Sequence, residues 1–247
     1  MKQMIVFDLD GTLAESKSAI DSEMVSLLNG LLSKTKVAVI SGGDWPQFQK
    51  QLLVRELDRS GYPNLFLLPT CGTKFYKFAS DWEEIYADNL SVAQKDQIIN
   101  ALNTAMTSLN LTPAITWGKI IEDRGSQITF SALGQTAPIT EKKVWDPDFA
   151  KRLKMQSLLT KLIPEFSVRL GGTTSIDVTK PGVDKAYGIA KLEEILAITR
   201  PEMLFVGDAV FPGGNDYPVK ESGVLSIQVR DQNETKRVIE AITGWIA

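Results

Sequence analysis

The feature that most constrains the fold of this chain is the regular alternation of short apolar runs with segments of helical period. Apolar runs of strand length fall at residues 4–9, 36–40, 64–68, 203–206 and 224–228. Segments of helical period begin near Ile20, Asp44, Asp184 and Asp231. Strands that alternate with helices in this way form a mostly parallel sheet with helices on both faces. The pattern therefore predicts an α/β fold with a Rossmann-like core.

The middle of the chain has a different pattern. Helices are predicted at residues 90–109 and 148–163, and strands at 119–123, 127–132, 166–170 and 174–178. Strands joined by short turns, with helices beside them, indicate an α+β unit around an antiparallel sheet. We predict that this unit is a separate domain at residues 81–182, inserted into a core of residues 1–80 and 183–247. The predicted connections are residues 78–82 and 180–182.

The composition limits the chemistry that this chain can perform. Its 247 residues are 43% hydrophobic and 23% charged, as in an ordinary globular protein. Histidine is absent from the sequence, which excludes Ser-His-Asp and Cys-His catalysis and histidine metal sites. Any catalysis must therefore use carboxylates, hydroxyls, lysine, arginine and a hard metal ion.

Charge and cysteine content indicate the setting and the kind of partner. The net charge is −3 without a long basic run, which argues against nucleic acid and membrane surfaces as partners. No apolar run approaches the ~20 residues that span a membrane. The single cysteine, Cys71, fits a reducing compartment, and the N-terminus enters a strand without a signal region. We expect a cytoplasmic protein that is a monomer or a homodimer.

Two aspartates follow the first predicted strand. Asp8 and Asp10 are two positions apart, so in a strand both carboxylates point to one spot beyond the carboxyl edge of the sheet. Adjacent carboxylates repel unless a cation lies between them, and oxygen ligands favour Mg²⁺, which also binds substrate phosphate. The pair predicts a metal-assisted phosphoryl site. The alternative is an exposed turn that uses Asp and Gly for its turn chemistry.

The segment after the second predicted strand has the composition of an anion site. Ser41, Gly42 and Gly43 place a hydroxyl and two bare backbone amides directly before a predicted helix. Such a helix N-terminus binds anions. The alternative is a simple helix cap with Asp44 as the N-cap, and the two interpretations are compatible.

Two further groups fall at strand ends later in the chain. Lys185 lies in the first turn of a predicted helix, where a cation is tolerated more easily if it faces an anion, although solvated lysines are common. Asp208 follows the fourth predicted strand, where it can complete the metal site with support from Asn215 and Asp216. The alternative for this last group is a turn rich in Gly, Pro and Asn.

Taken in order, these motifs resemble the haloacid dehalogenase superfamily of phosphoryl-transfer enzymes. The motifs are Asp-Leu-Asp-Gly-Thr, a serine after the second strand, a lysine at a helix start, and Gly-Asp followed by Asn-Asp. Residues 171–178 and 207–216 are most similar to the eukaryotic-type phosphomannomutase branch. In that branch a type IIB cap domain is inserted between the serine motif and the lysine motif, which matches the predicted insertion here.

The resemblance implies a role for each motif in the core. Asp8 would be the nucleophile that forms an aspartyl-phosphate, and Asp10 would protonate the leaving oxygen and then activate the second acceptor. Ser41 and the amides of the two following glycines would hold the phosphoryl oxygens, while Lys185 would neutralise charge. Mg²⁺ would bind Asp8, the carbonyl of Asp10, Asp208 and the supporting Asp216. The substrate would be a small phosphorylated metabolite.

The resemblance also implies substrate contacts outside the core motifs. Ser175 and Asp177 would contact the sugar or its distal phosphate, and Arg124 stands where the family has a phosphate-binding arginine. Lys17 stands where the branch has another arginine, and Asn215 lies in the loop beside the metal site.

Two departures from the mutase branch bear on the reaction. Gln135 and Lys142 stand where that branch has arginines for the distal phosphate. Glutamine has no charge, and lysine lacks the planar fork of arginine. Weaker binding of the distal phosphate favours water as the acceptor. We therefore expect a sugar-phosphate phosphatase. Phosphomannomutase is the first alternative, and a catalytically silent binding or regulatory module is the second.

Overall fold

The computed structural model describes residues 2–53 and 57–246, which divide into two compact units. The first unit is Met1–Ala87 with Asp184–Ala247, and the second is Asp88–Val183. Each unit has its own sheet and its own apolar core. The strands, in chain order, are β1 (Met4–Phe7), β2 (Lys36–Ile40), β3 (Leu65–Leu68), β4 (Lys74–Phe78), β5 (Trp82–Ala87), β6 (Ile121–Asp123), β7 (Gln127–Ser131), β8 (Ser167–Leu170), β9 (Ser175–Thr179), β10 (Met203–Gly207) and β11 (Leu225–Gln228).

Helices follow most of these strands. They are α1 (Ser22–Leu32), α2 (Trp45–Gln51), α3 (Val92–Ser108), α4 (Ile139–Trp145), α5 (Ala150–Leu162), α6 (Lys185–Leu196), α7 (Tyr217–Glu221) and α8 (Gln232–Trp245). Asp21, Asp184 and Asp231 cap α1, α6 and α8, since each side chain accepts a hydrogen bond from a first-turn amide. Within the described residues, none of these helices has the length and apolar character that a membrane span requires.

The sheet of the first unit has the strand order β11-β10-β1-β2-β3-β4-β5. The five strands from β11 to β3 are parallel, and β4 and β5 complete the sheet as an antiparallel hairpin. This mostly parallel sheet confirms the predicted α/β fold. β1 lies between β10 and β2, with Phe7 paired to both Val206 and Val39. The carboxyl ends of these three strands therefore meet at one edge of the sheet.

The central strand is buried on both faces, and its alternate residues serve two apolar layers. Ile5 and Phe7 belong to a cluster that includes buried residues of α1 and α8. Met4 and Val6 belong to a second cluster that includes buried residues of α6. A continuous apolar run is what a strand needs when helices cover both faces of its sheet.

The boundary between the two units falls later than the sequence pattern predicts. Residues 82–87, expected in the inserted domain, form β5 and pair with β4 in the sheet of the first unit. The predicted connection at residues 78–82 is instead the turn of this hairpin, in which Phe78 pairs with Trp82. Because β5 is largely exposed and carries two adjacent glutamates, it lacks the apolar run that marks the other strands.

The second unit is built on an antiparallel sheet with the order β6-β7-β9-β8. Its apolar face, which includes Phe130 and Ile176, packs with buried residues of α3 and α5. The other face carries the polar residues of the same strands, because side chains alternate along a strand. The short helix α4 lies between the predicted strand at residues 127–132 and the predicted helix at residues 148–163, and Pro138 is its N-cap.

A fully buried ion pair holds the start of α5 in position within this unit. The Nε atom of Arg152 lies 2.8 Å from Oδ2 of Asp146, and both side chains are at most 1% exposed. Arg152 also donates to the carbonyl oxygens of Gly171 and Gly172. The pair therefore joins the start of α5 to the loop between β8 and β9.

We expect Arg152→Met to lower the free energy of unfolding by about 3 kcal/mol, because it leaves a buried carboxylate without its cation. Burial alone would raise the pKa of Asp146, but hydrogen bonds from Arg152 and two backbone amides outweigh it and lower that pKa. This contribution is therefore present at neutral pH and lost as the pH falls through the lowered pKa, below about 4. Urea unfolding at pH 7 and at acid pH measures both effects.

The matched control is Lys154→Met, which removes an exposed cation from the same helix. We expect it to change stability by no more than about 0.5 kcal/mol. Equal losses for the two variants would show that the buried pair does not stabilise this unit.

Candidate active site

Three aspartates meet at the carboxyl edge of the parallel sheet. Asp8 follows β1, Asp208 follows β10, and Asp216 precedes α7. One carboxylate oxygen from each lies within 4.8 Å of the others. The neighbouring strands β1 and β10 bring the first two together, and the loop after β10 supplies the third. The structure thus collects three of the residues that the sequence predicts as metal ligands.

Two glycines permit this close approach. A Cβ atom on Gly11 would lie 2.6 Å from Oδ2 of Asp208, and Gly11 has a φ of +86°, where side chains are strained. A Cβ atom on Gly207 would lie 2.4 Å from Oδ2 of Asp216. Glycine is therefore required at both positions if the carboxylates are to keep their places.

Lys185 binds two of the three carboxylates. Its Nζ atom lies 2.5 Å from Oδ1 of Asp8 and also donates to Oδ1 of Asp216, and its side chain is 1% exposed. Burial by itself would lower the pKa of Lys185, but the two carboxylates outweigh burial and raise that pKa. Lys185 therefore faces anions, which is the condition under which a lysine in the first turn of a helix is more easily tolerated.

The cluster has the properties of a divalent cation site. Burial raises the pKa of Asp8, against the opposing charge of Lys185. Burial also raises the pKa of Asp208, and the carboxylate of Asp216 adds to that effect. A set of buried carboxylates is costly when ionised, and a cation among them offsets that cost. Since Mg²⁺ prefers carboxylate oxygens, the residues fit Mg²⁺, and the three aspartates would hold it.

Asp10 does not share this cluster through its side chain. Its Oδ1 accepts hydrogen bonds from the backbone amide of Lys17 at 2.6 Å and from Gln51 at 3.1 Å, and its Oδ2 accepts one from Gln47 at 2.6 Å. Because β1 ends at Phe7, the alternation of a strand does not extend to either residue, and convergence of Asp8 and Asp10 on one substrate stays a prediction. A metal contact through the Asp10 carbonyl stays a prediction.

Both glutamines were missed by sequence reasoning, because glutamine within a helix belongs to no catalytic motif. The signal that identifies them is spacing. Gln47 and Gln51 are four residues apart, so they lie on the same face of α2.

The loop before α2 forms the helix cap that was one of the two interpretations of this segment. Ser41 is buried at the end of β2, and its hydroxyl accepts a hydrogen bond from the amide of Gly43 at 3.1 Å. Asp44 caps the helix by accepting from the amide of Gln47 at 3.3 Å. Gly42, between these residues, is partly exposed. The loop precedes α2, whose Gln47 and Gln51 donate hydrogen bonds to Asp10. Phosphate binding by the loop stays a prediction.

Several predicted substrate residues lie on the polar face of the sheet in the second unit. Thr129 donates to Oδ1 of Asp177 at 2.7 Å, and Ser175 shares that face two positions earlier on β9. Arg124 directly follows β6 and pairs at 2.7 Å with Glu122, which lies opposite Thr129 on this face. Arg169, which the sequence analysis did not single out, lies opposite Asp177 on β8.

The remaining predicted residues have other surroundings. Nζ of Lys142 donates to the carbonyl oxygen of Gln135 at 3.1 Å, so these two positions are neighbours within the second unit. The side chains of Lys17 and Asn215 are exposed. Lys17 contacts Asp10 through its backbone amide, which donates to Oδ1. The role of Asn215 stays a prediction.

We expect Asp208→Asn to raise the dissociation constant for Mg²⁺ about tenfold or more, because the amide removes a charged ligand from the cluster. Isothermal titration with Mg²⁺ measures this constant. The control is Asp96→Asn, an exposed position on α3, which should bind Mg²⁺ as the unaltered chain does. Equal affinity in all three proteins would show that the acidic cluster is not the metal site.

Comparisons with known proteins show which sequences this chain is similar to. The family profile described as eukaryotic phosphomannomutase matches residues 24–244. A phosphomannomutase of Encephalitozoon cuniculi is 26% identical over 97% of this chain and 93% of its own length. One of Dendrobium officinale is 28% identical over 89% and 85%.

Solved structures show the same fold at low identity. A haloacid dehalogenase-like hydrolase of Bacteroides thetaiotaomicron has a TM-score of 0.66 at 19% identity, covering 98% of this chain and 100% of that one. A C-terminally truncated IMP-nucleotidase of Plasmodium falciparum has a TM-score of 0.73 at 17% identity, covering 100% and 72%. Since the family profile matches most of its length, the chain belongs to the eukaryotic phosphomannomutase family and is an enzyme of the haloacid dehalogenase superfamily.

Proposed function

We propose that this chain transfers the phosphoryl group of a hexose phosphate through an aspartyl-phosphate on Asp8, and that it acts as a phosphomannomutase. The observation that carries the proposal is the buried ion pair between Lys185 and Asp8 within a cluster of three carboxylates. A nucleophilic carboxylate that approaches a phosphate dianion needs fixed positive charge beside it, and this site supplies such charge.

The residues divide the chemistry between two carboxylates. Lys185 fixes the orientation of Asp8, whose oxygen forms a bond to phosphorus while the bond from phosphorus to the sugar oxygen breaks. Asp10 gives a proton to that departing oxygen and later takes one from the acceptor hydroxyl. When bound, Mg²⁺ would neutralise charge on the phosphoryl oxygens and help to orient them.

The acceptor decides between a mutase and a phosphatase. The sequence pattern favours water as the acceptor, but the relatives reported above are named phosphomannomutases, which supports the alternative. The polar face of the second unit also suits a substrate with a second phosphate, because Arg169 lies on it and Arg124 pairs with Glu122 there. The mutase is therefore the better supported reading.

Hydrolysis is the second candidate, and one observation favours it. Gln135 is uncharged, and its backbone carbonyl engages the ammonium group of Lys142. Neither position then offers the forked guanidinium that holds a phosphate by two parallel hydrogen bonds. A bisphosphate that dissociates early would leave the aspartyl-phosphate to water.

The proposal also covers the cellular compartment, the partner and the oligomeric state. The small net charge and the single cysteine support a cytoplasmic enzyme whose partner is a small phosphorylated metabolite rather than nucleic acid or a membrane. The enzyme would be a monomer or a homodimer.

With mannose 1-phosphate, Mg²⁺ and a hexose bisphosphate activator, we expect conversion to the 6-phosphate to exceed release of inorganic phosphate. Phosphorus NMR measures both products in one reaction. Asp8→Asn should abolish both, because an amide of the same shape cannot attack phosphorus. Net phosphate release with little 6-phosphate would identify the chain as a phosphatase, and full activity in Asp8→Asn would exclude the aspartyl-phosphate.

The second test concerns the distal phosphate. We expect Gln135→Arg to lower the KM for the bisphosphate at least about tenfold, because a charge-assisted hydrogen bond contributes about 1.5–3 kcal/mol. Gln135→Met is the matched control, since it changes the side chain without adding a donor. The same KM in both variants would show that this position does not contact the distal phosphate.

A further inference from the structure

The carboxylate of Asp10 is held by two amide side chains that no motif of the sequence identifies. We infer that Gln47 and Gln51 are positioning residues, which fix the orientation of Asp10 for proton transfer. The inference rests on the proposed function, because it assigns them to the residue that protonates the leaving oxygen.

The contacts form a closed arrangement. Gln47 donates through Nε2 to Oδ2 of Asp10 and to Oε1 of Gln51, at 2.6 Å in each case. Gln51 donates through Nε2 to Oδ1 of Asp10 at 3.1 Å and to the carbonyl oxygen of Ser18 at 2.9 Å. The backbone amide of Lys17 also donates to Oδ1 at 2.6 Å. Both oxygens of Asp10 therefore have directed donors.

The surroundings allow the glutamines little freedom. Gln51 is 1% exposed, and its amide oxygen and nitrogen are both engaged, so the amide cannot flip without losing these bonds. A Cβ atom on Gly43 would lie 2.5 Å from Cδ and Oε1 of Gln47. Gly43 thus gives Gln47 the space to lie against the loop, which is a second reason for glycine in this motif.

The chemistry of the amide suits this task. A lysine or arginine here would hold Asp10 by charge and would add a cation near the reacting group. A primary amide donates two directed hydrogen bonds without altering the net charge of the site. The glutamines can therefore orient a carboxyl group whose proton must come and go.

The position of α2 adds a consequence for geometry. This helix begins at Trp45, and only its N-cap Asp44 separates it from residues 41–43, the loop expected to hold the phosphoryl oxygens. One continuous segment would then hold the phosphoryl group at its start and Asp10 along its side. Small errors in the position of a proton donor are costly in rate, so such a common support matters.

The proposed step defines a readout that a purely structural role would not change. In the first half-reaction the phosphorus–oxygen bond to the leaving group breaks, and the proton of Asp10 goes to a sugar oxygen, which is a poor leaving group. A nitrophenolate leaves without a proton. Misplacing Asp10 should therefore slow transfer from a hexose phosphate and leave transfer from p-nitrophenyl phosphate nearly unchanged.

The experiment measures single-turnover rates with the Mg²⁺-loaded enzyme in excess over mannose 1-phosphate or p-nitrophenyl phosphate. We expect Gln47→Leu and Gln51→Leu to slow transfer from mannose 1-phosphate about 10- to 100-fold, within the range that proton transfer contributes. Release of nitrophenol should change by less than about threefold if proton donation is the only step affected. The control is Gln49→Leu, an exposed glutamine of the same helix, which should match the unaltered enzyme with both substrates.

Equal losses with both substrates, or no loss with either, would overturn the positioning role. If Gln47→Leu fails to fold, Gln47→Asn gives the same comparison, because its amide is one methylene too short to reach Asp10. If the unaltered enzyme transfers phosphate from neither substrate, the proposed function itself is wrong, and the inference fails with it. The two failures are therefore distinguishable.

Discussion

The buried cation of Lys185 is the interaction on which the rest of the active site depends. Removing a lysine and carboxylates from water is costly, and only close mutual contact offsets that cost. Lys185 meets Asp8 and Asp216 at the edge where β1 and β10 end side by side. The parallel pairing of β1 and β10 sets the distance between the charged groups that follow these strands. The fold therefore determines the charge balance of the site. A divalent cation would complete that balance.

The helix α2 gives the site its second organising element. Its N-terminus follows the loop of Ser41, and its side presents Gln47 and Gln51 to Asp10. The site therefore combines two kinds of control. An ion pair fixes Asp8, the proposed nucleophile, while neutral amides orient Asp10, the residue proposed to carry the proton.

The second unit carries its polar residues on one face of its sheet. A row of residues crosses its polar face from Glu122 through Thr129 and Asp177 to Arg169. Charged and hydroxyl groups on this row suit a sugar with more than one polar substituent. Under the proposed function, the difference between a mutase and a phosphatase would depend on how tightly the distal phosphate is bound.

The sequence by itself determined the α/β class and most members of the acidic cluster. Apolar runs specify buried parallel strands, and the residues directly after them fall at one edge, so Asp8, Asp208 and Lys185 were identifiable from local pattern. Tertiary structure alone decided the partners of Asp10 and the assignment of β5 to the first sheet. Both depend on contacts between segments distant in sequence, where neither apolar periodicity nor motif spacing carries a signal. An exposed edge strand and a glutamine in a helix look ordinary until the fold shows what they touch.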